Sequence, residues 1–261
     1  MGADYRRNGV RRPPVRGDEP GNAPRPPRVG MVWDVLCAVV SARVTETGRR
    51  ALDIVDVGGG TGGLAVPFAA LGHNVTVVDP SPDALAAAQR RAAEAGARLT
   101  SVQGEAASLD SVAGASAADL IICHNVLEYV DSPADAMSAI ARVLRPSASV
   151  SVLASNAVAA VLHRALAGRF AEARALLVNS VPAAGATPRR FTLPELTALI
   201  EAAGLRVGEA HGLRIFGGLI PGALLDGDAA AADALRALEE AAASTPPLRD
   251  IASQLHVLGR R

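Results

Sequence analysis

The pattern of apolar and polar positions predicts strands separated by helices along residues 52–154. Short apolar runs rich in β-branched residues predict five strands, at Leu52–Val57, Asn74–Val78, Leu99–Val102, Leu120–Cys123 and Ser149–Ala154. Apolar residues at helical spacing predict helices at Met31–Ala42, Gly63–Ala70, Pro82–Ala95 and Ala134–Leu144. Strand and helix alternating at this spacing indicate βαβ units, and hence a parallel sheet covered by helices on both faces.

This alternation breaks after Ala154. Residues 156–190 carry an Ala/Leu-rich helical pattern that ends in the Pro/Gly-rich loop Val181–Arg190, and we interpret them as a helical insertion after strand 5. The remaining segments predict helix, strand, helix and strand, at Pro194–Ala203, Leu205–Phe216, Ala229–Ala243 and Gln254–Leu258. The predicted fold is therefore α/β, a doubly wound, seven-stranded, mostly parallel sheet of the Rossmann-like type, whose last two strands form an antiparallel pair.

The amino-terminal segment, residues 1–27, is rich in Arg, Pro and Gly and offers little to bury. Such a segment cannot offset its own chain entropy, so we predict a disordered tail, which is either simply solvated or an RNA-tethering arm. The predicted globular part is a single domain over residues 28–261.

Composition and charge narrow the function classes. The 26 basic residues are all arginine and are balanced by 26 acidic ones, which excludes a protein basic over its whole surface but leaves a local basic face possible. Cys37 and Cys123 match no metal or redox spacing, so we expect no metal site and a reducing compartment. No apolar run reaches the ~18–20 residues of a membrane-spanning helix, and the start lacks a signal-peptide apolar region. We therefore expect a cytoplasmic protein that does not associate with a membrane.

The strongest chemical signal is a glycine loop between the first strand and the next helix, with the sequence Asp-Val-Gly-Gly-Gly-Thr-Gly-Gly over residues 56–63. Glycines at such a turn let a ligand touch the main chain, and the N–H groups of the following helix point at that ligand. The string satisfies the dinucleotide fingerprint G-x-G-x-x-G, which by itself is a weak signal. The acid Asp56 completes D-x-G-x-G-x-G, which resembles motif I of class I S-adenosylmethionine-dependent methyltransferases, and the carboxyl-terminal half lacks a second mononucleotide-binding unit. Both features favour S-adenosylmethionine over NAD.

Two further positions suit a nucleoside. Asp79 closes the second strand about 20 residues beyond the glycines, where a carboxylate accepts hydrogen bonds from a ribose diol; the alternative is a helix-capping aspartate. Gly104-Glu105-Ala106-Ala107 follows the third strand, where main-chain N–H groups and an acid would meet an adenine edge. A plain turn is the alternative for Glu105.

The segment after the fourth strand indicates a particular family among the class I methyltransferases. Residues 124–129 read His-Asn-Val-Leu-Glu-Tyr, an H-x-V-L-E-aromatic pattern that resembles the bacterial tRNA 5-carboxymethoxyuridine methyltransferases. Further similar segments follow in order at residues 155–170, 202–205 and 212–216, so the resemblance covers about Arg28 to Leu258. It departs at Asn179–Arg190, where the family has a lysine-rich run and this chain offers Arg189 and Arg190, which puts the tRNA substrate in doubt.

The resemblance implies S-adenosyl-L-methionine as the cofactor, and it implies contacts at seven positions. These are Arg28 (methionine carboxylate), Gly58 and Gly59 (glycine loop), Asp79 (ribose), Ala106 and Ala107 (adenine), and His124 after strand four. A hydrogen-bonded structural role is the alternative for His124.

The reaction implied is methyl transfer to a carboxylate, which is already ionised at neutral pH and needs no general base. No residue is therefore assigned to proton transfer, and the acceptor-positioning candidates are Arg214, Asn156 and Arg164, with Arg189 and Arg190 behind them. A solvated surface arginine is the alternative for each arginine, and a turn-forming residue for Asn156. Three hypotheses remain: a methyltransferase acting on a carboxylate in tRNA, one acting on a small-molecule acceptor, and a non-catalytic cofactor-binding protein.

Overall fold

The computed structural model describes residues 30–178, 188–220 and 229–261. The predicted tail 1–27, the cofactor candidate Arg28 and most of the predicted loop Val181–Arg190 lie outside the described residues.

The described strands form one seven-stranded sheet with the order β3-β2-β1-β4-β5-β7-β6. The strands are β1 (Asp53–Val57), β2 (Asn74–Asp79), β3 (Thr100–Gln103), β4 (Ala118–His124), β5 (Leu144–Ser155), β6 (Arg206–Leu213) and β7 (Gln254–Arg260). Strands β1 to β5 pair in parallel, and β7 runs antiparallel to both β5 and β6. The predicted fold class is therefore confirmed. The strand order reverses between β1 and β4, and ligands of such sheets bind outside the carboxyl ends of the strands at this point.

Helices cover both faces of the sheet, as the long apolar strands require. They are α1 (Gly30–Thr47), α2 (Ala65–Ala70), α3 (Pro82–Glu94), α4 (Leu109–Ala113), α5 (Pro133–Val143), α6 (Ala157–Leu166), α7 (Phe170–Val178), α8 (Leu193–Ala202) and α9 (Ala229–Ala242). One apolar core joins α1, α2 and α3 to the even-numbered positions of β4, such as Ile122. The other core joins α5 and α8 to the odd-numbered positions, such as Ile121.

Some predicted boundaries were wrong. The helix predicted to end at Leu144 ends at Val143. Strand β5 starts at Leu144 instead of at Ser149, because Leu144 already pairs with Ala118 of β4. Helix α1 continues five residues beyond the predicted end to Thr47, whose hydroxyl donates to the carbonyl of Arg43. The predicted helical insertion contains two helices, α6 and α7, separated at Gly168, which has φ +73°.

A buried carboxylate anchors α1 to the sheet. The side chain of Asp119, near the start of β4, has no exposed surface and accepts hydrogen bonds from the side chains of Arg43, Arg49 and Arg145 and from the main chain of Asp53. Several donors on one buried carboxylate offset its desolvation. Across the described residues, no helix is both long and apolar enough to cross a bilayer.

Candidate functional site

Two glycines of the loop, Gly58 and Gly59, leave no room for a side chain. Gly58 and Gly60 adopt positive φ angles of +63° and +54°, which favour glycine. A Cβ added at Gly58 would lie 2.4 Å from a methyl carbon of Val126, and one at Gly59 would lie 2.6 Å from the carboxyl carbon of Asp56. The loop is therefore packed between the segment after β4 and the side chain of Asp56.

Asp79 is held rigidly at the end of β2. The residue is buried, and one carboxylate oxygen accepts from the main-chain N–H of Gly60 while the other accepts from that of Ser81, both at 2.9 Å. The capping alternative for Asp79 is wrong, because the N-cap of α3 is Ser81, whose hydroxyl accepts from the N–H of Ala84. Each oxygen of Asp79 keeps a further lone pair for a ligand.

Asp56 lies under the loop and is fully surrounded by protein. Burial raises the pKa of Asp56 to about 7, and the charge of Asp79 adds to this rise, whereas a hydrogen bond from the main chain of Ala65 opposes it. Asp56 therefore supports the loop from below, and of these two acids Asp79 is the one that lines a cavity.

A cavity of about 510 Å³ opens beside these residues, a volume typical of small-molecule sites. Its walls come from the ends of β1, β2 and β3 and from the segment after β4: Val57, Gly58, Asp79, Pro80, Gly104, Glu105, Ala106, Ala107, Asn125, Val126, Tyr129, Val130, Asp131, Ser132 and Asp135. Four of the candidate cofactor residues, namely Gly58, Asp79, Ala106 and Ala107, are thus brought together. A nucleoside fits these residues, since an acid with free lone pairs lines the same cavity as a glycine of the loop.

His124 and Gly59 are not among the cavity's lining residues. His124 ends β4, directly before Asn125, which does line the cavity. Its Nε2 lies 2.7 Å from the hydroxyl oxygen of Ser151, and burial lowers the pKa of His124 to about 3. The ring is therefore neutral at physiological pH.

The prediction that Asn156 positions the acceptor is wrong. Asn156 is buried, its amide nitrogen donates to the carbonyls of Asp250 and Ala252, and its amide oxygen accepts from the N–H of Val158. This side chain caps α6 and ties it to the segment before β7, so it has no donor left for a ligand.

The two candidate arginines differ in their surroundings. The guanidinium of Arg164 donates to the carbonyl of Ala160 and lies 3.4 Å from the carboxylate of Glu172, so it is engaged inside the α6–α7 insertion. Arg214 follows β6 in a left-handed conformation and is exposed. Arg214 therefore remains a candidate for holding an acceptor, whereas the guanidinium of Arg164 is already engaged.

A second cavity of about 540 Å³ adjoins the first, sharing Asp131 and Ser132 with it. Arg189 and Arg190 line it, and the guanidinium of Arg189 donates to the carbonyl of Val130. These two arginines therefore lie close to the segment after β4.

Sequence reasoning missed two features of this segment. Asn125, with φ +55°, lines the first cavity, and its amide oxygen accepts from the side chain of Gln254 at 2.7 Å. Glu128 is buried and accepts from the main chain of Ser155 through one oxygen, while its other oxygen has no hydrogen-bond partner in the described part of the chain. The position of Asn125, just after a strand at the switch point, could have indicated that it lines a cavity. The burial of Glu128 depends on contacts distant in sequence and could not have been predicted.

Comparison with known proteins finds a family model described as a methyltransferase domain that matches residues 55–152. The tRNA 5-carboxymethoxyuridine methyltransferase of Escherichia coli K12 is 32% identical over 145 residues, or 55% of this chain and 54% of that protein. The chain thus spans about half the length of this relative. The ubiquinone biosynthesis O-methyltransferase of Xanthomonas axonopodis pv. citri is 31% identical over 179 residues, covering 67% of this chain and 70% of the relative.

Solved structures share the fold. The magnesium protoporphyrin IX methyltransferase of Synechocystis PCC 6803, solved with bound S-adenosylhomocysteine, aligns with a TM-score of 0.56 at 16% identity, covering 88% of this chain and 83% of that one. The plantazolicin methyltransferase aligns with the same TM-score at 13% identity, over 90% and 86% of the two chains.

Proposed function

Because the chain belongs to the S-adenosylmethionine-dependent methyltransferases, we propose that it transfers the methyl group of this cofactor to an oxygen atom of an acceptor. The observation that carries the proposal is the cavity at the switch point of the sheet, where Asp79 and the glycine loop meet. When bound, the cofactor supplies an electrophilic methyl group on a positively charged sulfur.

In this proposal, residues at the ends of β1, β2 and β3 hold the cofactor. Asp79 accepts hydrogen bonds from the ribose hydroxyls, and Gly58 offers its main chain with Gly59 behind it. Ala106 and Ala107 contact the adenine. The resemblance adds Arg28 for the methionine carboxylate and His124 for the region after β4. These contacts orient the cofactor, and orientation supplies roughly 7–11 kcal/mol of a barrier in well-aligned cases.

A carboxylate in tRNA is the first candidate acceptor. The Escherichia coli relative, a tRNA 5-carboxymethoxyuridine methyltransferase, supports it. The pair Arg189 and Arg190 beside the second cavity suits a carboxylate, as does the exposed Arg214. Such an acceptor is already ionised, so the protein would only have to position it.

A small molecule with a hydroxyl group is the second candidate acceptor. The relatives named as ubiquinone biosynthesis O-methyltransferases support it, since the match to them covers more of this chain.

Labelled cofactor tests the proposal directly. The protein is incubated with S-adenosylmethionine carrying a tritiated methyl group and either total tRNA or the low-mass fraction of a cell extract. Label in tRNA that mild base releases supports a methyl ester on a carboxylate. Label in a base-stable low-mass product supports a hydroxyl acceptor. Cofactor binding without transfer to either fraction would contradict the proposal and favour a non-catalytic cofactor-binding protein.

A further inference from the structure

Three histidines and a serine form a continuous chain of polar contacts across β4, β5, β7 and β6. The hydroxyl oxygen of Ser151 lies 2.7 Å from Nε2 of His124 and 2.7 Å from Nε2 of His256. The Nδ1 atoms of His256 and His211 are 3.2 Å apart. The Nε2 atom of His211 then faces the carboxylate of Glu209 at 3.7 Å.

The chain runs from the carboxyl edge of the sheet to its surface through the interior. Ser151 and His256 have no exposed surface and His211 has 8%, whereas the side chain of Glu209 is 75% exposed. Burial lowers the pKa of His124, His211 and His256. All three rings are therefore neutral, and each carries one N–H and one acceptor nitrogen.

Neutral rings leave two consistent directions for the hydrogen bonds, and Glu209 favours one of them. If Nε2 of His211 carries its proton, it faces the carboxylate favourably, whereas an unprotonated Nε2 would set a lone pair against negative charge. With Nε2 of His211 protonated, Nδ1 of His256 donates to His211, Ser151 donates to His256, and Nε2 of His124 donates to Ser151. Nδ1 of His124 is then unprotonated.

That nitrogen lies outside the chain of contacts. No hydrogen-bond partner for Nδ1 of His124 is found in residues 30–178, 188–220 and 229–261, and the residue is partly exposed. His124 ends β4 at the edge where the cofactor cavity opens, one residue before Asn125. The ring thus has one nitrogen in the buried chain, and its residue directly precedes one that lines the proposed reaction site.

We propose that the chain His124–Ser151–His256–His211 is a proton relay that deprotonates a hydroxyl acceptor. This inference rests on the proposed methyl transfer and assigns the acceptor to the hydroxyl class. The acceptor hydroxyl gives its proton to Nδ1 of His124, whose Nε2 proton passes to Ser151. The hydroxyl proton of Ser151 passes to Nε2 of His256, and the Nδ1 proton of His256 passes to Nδ1 of His211.

The last step releases the Nε2 proton of His211 beside Glu209. One proton leaves the site for each hydroxyl deprotonated, and every ring ends as its other neutral tautomer. No buried ring holds a positive charge once the transfer is complete, so the lowered pKa of His124 is compatible with the relay. The reverse movement, with a proton taken up from solvent at His211 and lost from His124, restores the starting state.

Breaking the relay at Ser151 tests it. The probes are a simple catechol as hydroxyl acceptor and tRNA carrying 5-carboxymethoxyuridine as carboxylate acceptor. Ser151→Ala is expected to lower kcat for the catechol at least tenfold, with KM and the affinity for S-adenosylhomocysteine unchanged, and to reduce the solvent deuterium isotope effect on kcat. Ser149→Ala, on the same face of β5, is the matched control and is expected to behave as the wild type. Where Ser151→Ala does not fold, His211→Gln at the outer end of the chain carries the same expectation.

Nitrogen-15 NMR of histidine-labelled protein tests the relay without any acceptor. The protein has five histidines, so their ring signals are assignable by single substitutions. The expected spectrum shows His124 protonated at Nε2 and unprotonated at Nδ1. A proton on Nδ1 of His124, or a catechol kcat that Ser151→Ala leaves unchanged, would overturn the relay, as would methylation of the tRNA carboxylate alone. Failure to methylate either probe would overturn the proposed function, and the NMR spectrum would then still decide the relay.

Discussion

Replacing Asp79 by alanine tests the assignment of the ribose site most closely. Each carboxylate oxygen of Asp79 already accepts one main-chain hydrogen bond, from Gly60 and from Ser81, and keeps one lone pair for a ribose hydroxyl. Hydrogen bonds to a charged acceptor contribute about 1.5–3 kcal/mol each, and part of this is recovered by water in the variant. We expect a net loss of about 1–3 kcal/mol, which is roughly a 5- to 150-fold higher Kd.

Calorimetric titration with S-adenosylhomocysteine measures this change. Asp83→Ala is the control, because Asp83 is an exposed carboxylate in the first turn of α3, four residues further on. The control is expected to bind as the wild type does. Thermal unfolding of both variants shows whether the loss of the two main-chain bonds has altered the fold.

An analogue of S-adenosylhomocysteine without the two ribose hydroxyls separates ligand binding from loosening of the loop. If Asp79 binds the diol, the wild type discriminates between the two ligands and Asp79→Ala does not. An affinity that Asp79→Ala leaves unchanged, or undiminished discrimination in that variant, would refute the reasoning.

Three further predictions follow from the anchor of α1, from the acid under the loop and from the resemblance. Asp119→Ala leaves three arginines without their shared carboxylate and is expected to lower the free energy of unfolding, measured by urea denaturation, by about 3 kcal/mol. The control Asp110→Ala removes an exposed ion pair and should change the free energy of unfolding little. Equal effects of the two substitutions would contradict the role of Asp119 as an anchor of α1. Because the pKa of Asp56 is raised to about 7 in the folded state, the wild type binds the extra proton between about pH 4 and 7 and loses stability as the pH rises. Asp56→Asn should remove up to about 4 kcal/mol of the change in the free energy of unfolding between about pH 4 and 7. If the free energy of unfolding of the two proteins changed with pH in the same way, the prediction would be refuted. Arg28→Ala should raise the Kd for S-adenosylhomocysteine without lowering Tm; the opposite pattern would assign Arg28 to the fold.

The parts of the site that are local in sequence were predictable. The glycine loop and Asp79 each follow a strand, and strand ends in a parallel sheet meet at one edge, so four cavity residues could be named from pattern and resemblance. Asn156 shows the limit of this reasoning. A polar residue just after a strand suits a ligand contact and a helix cap equally well. The contacts with Asp250 and Ala252, 94 and 96 residues away, occupy both amide hydrogens of Asn156 and so exclude the ligand contact.

Side-chain contacts between residues far apart in the sequence could not be predicted from any sequence pattern. Ser151 and His256 are 105 residues apart, and His211 and His256 are 45 apart, so no spacing indicates that they touch. Asp119 likewise meets Arg43 from 76 residues away. Such contacts depend on strand register and on the crossing of α1 over the sheet, which hydrophobic periodicity alone does not specify.

The central claim is that the cavity beside Asp79 binds a nucleoside carrying sulfur rather than a nicotinamide. Titrating the purified protein in a calorimeter with S-adenosylhomocysteine, and separately with NADH, tests it directly. The account predicts saturable heat near one ligand per chain with S-adenosylhomocysteine and none with NADH. Saturable binding of NADH in the absence of any response to S-adenosylhomocysteine would contradict it.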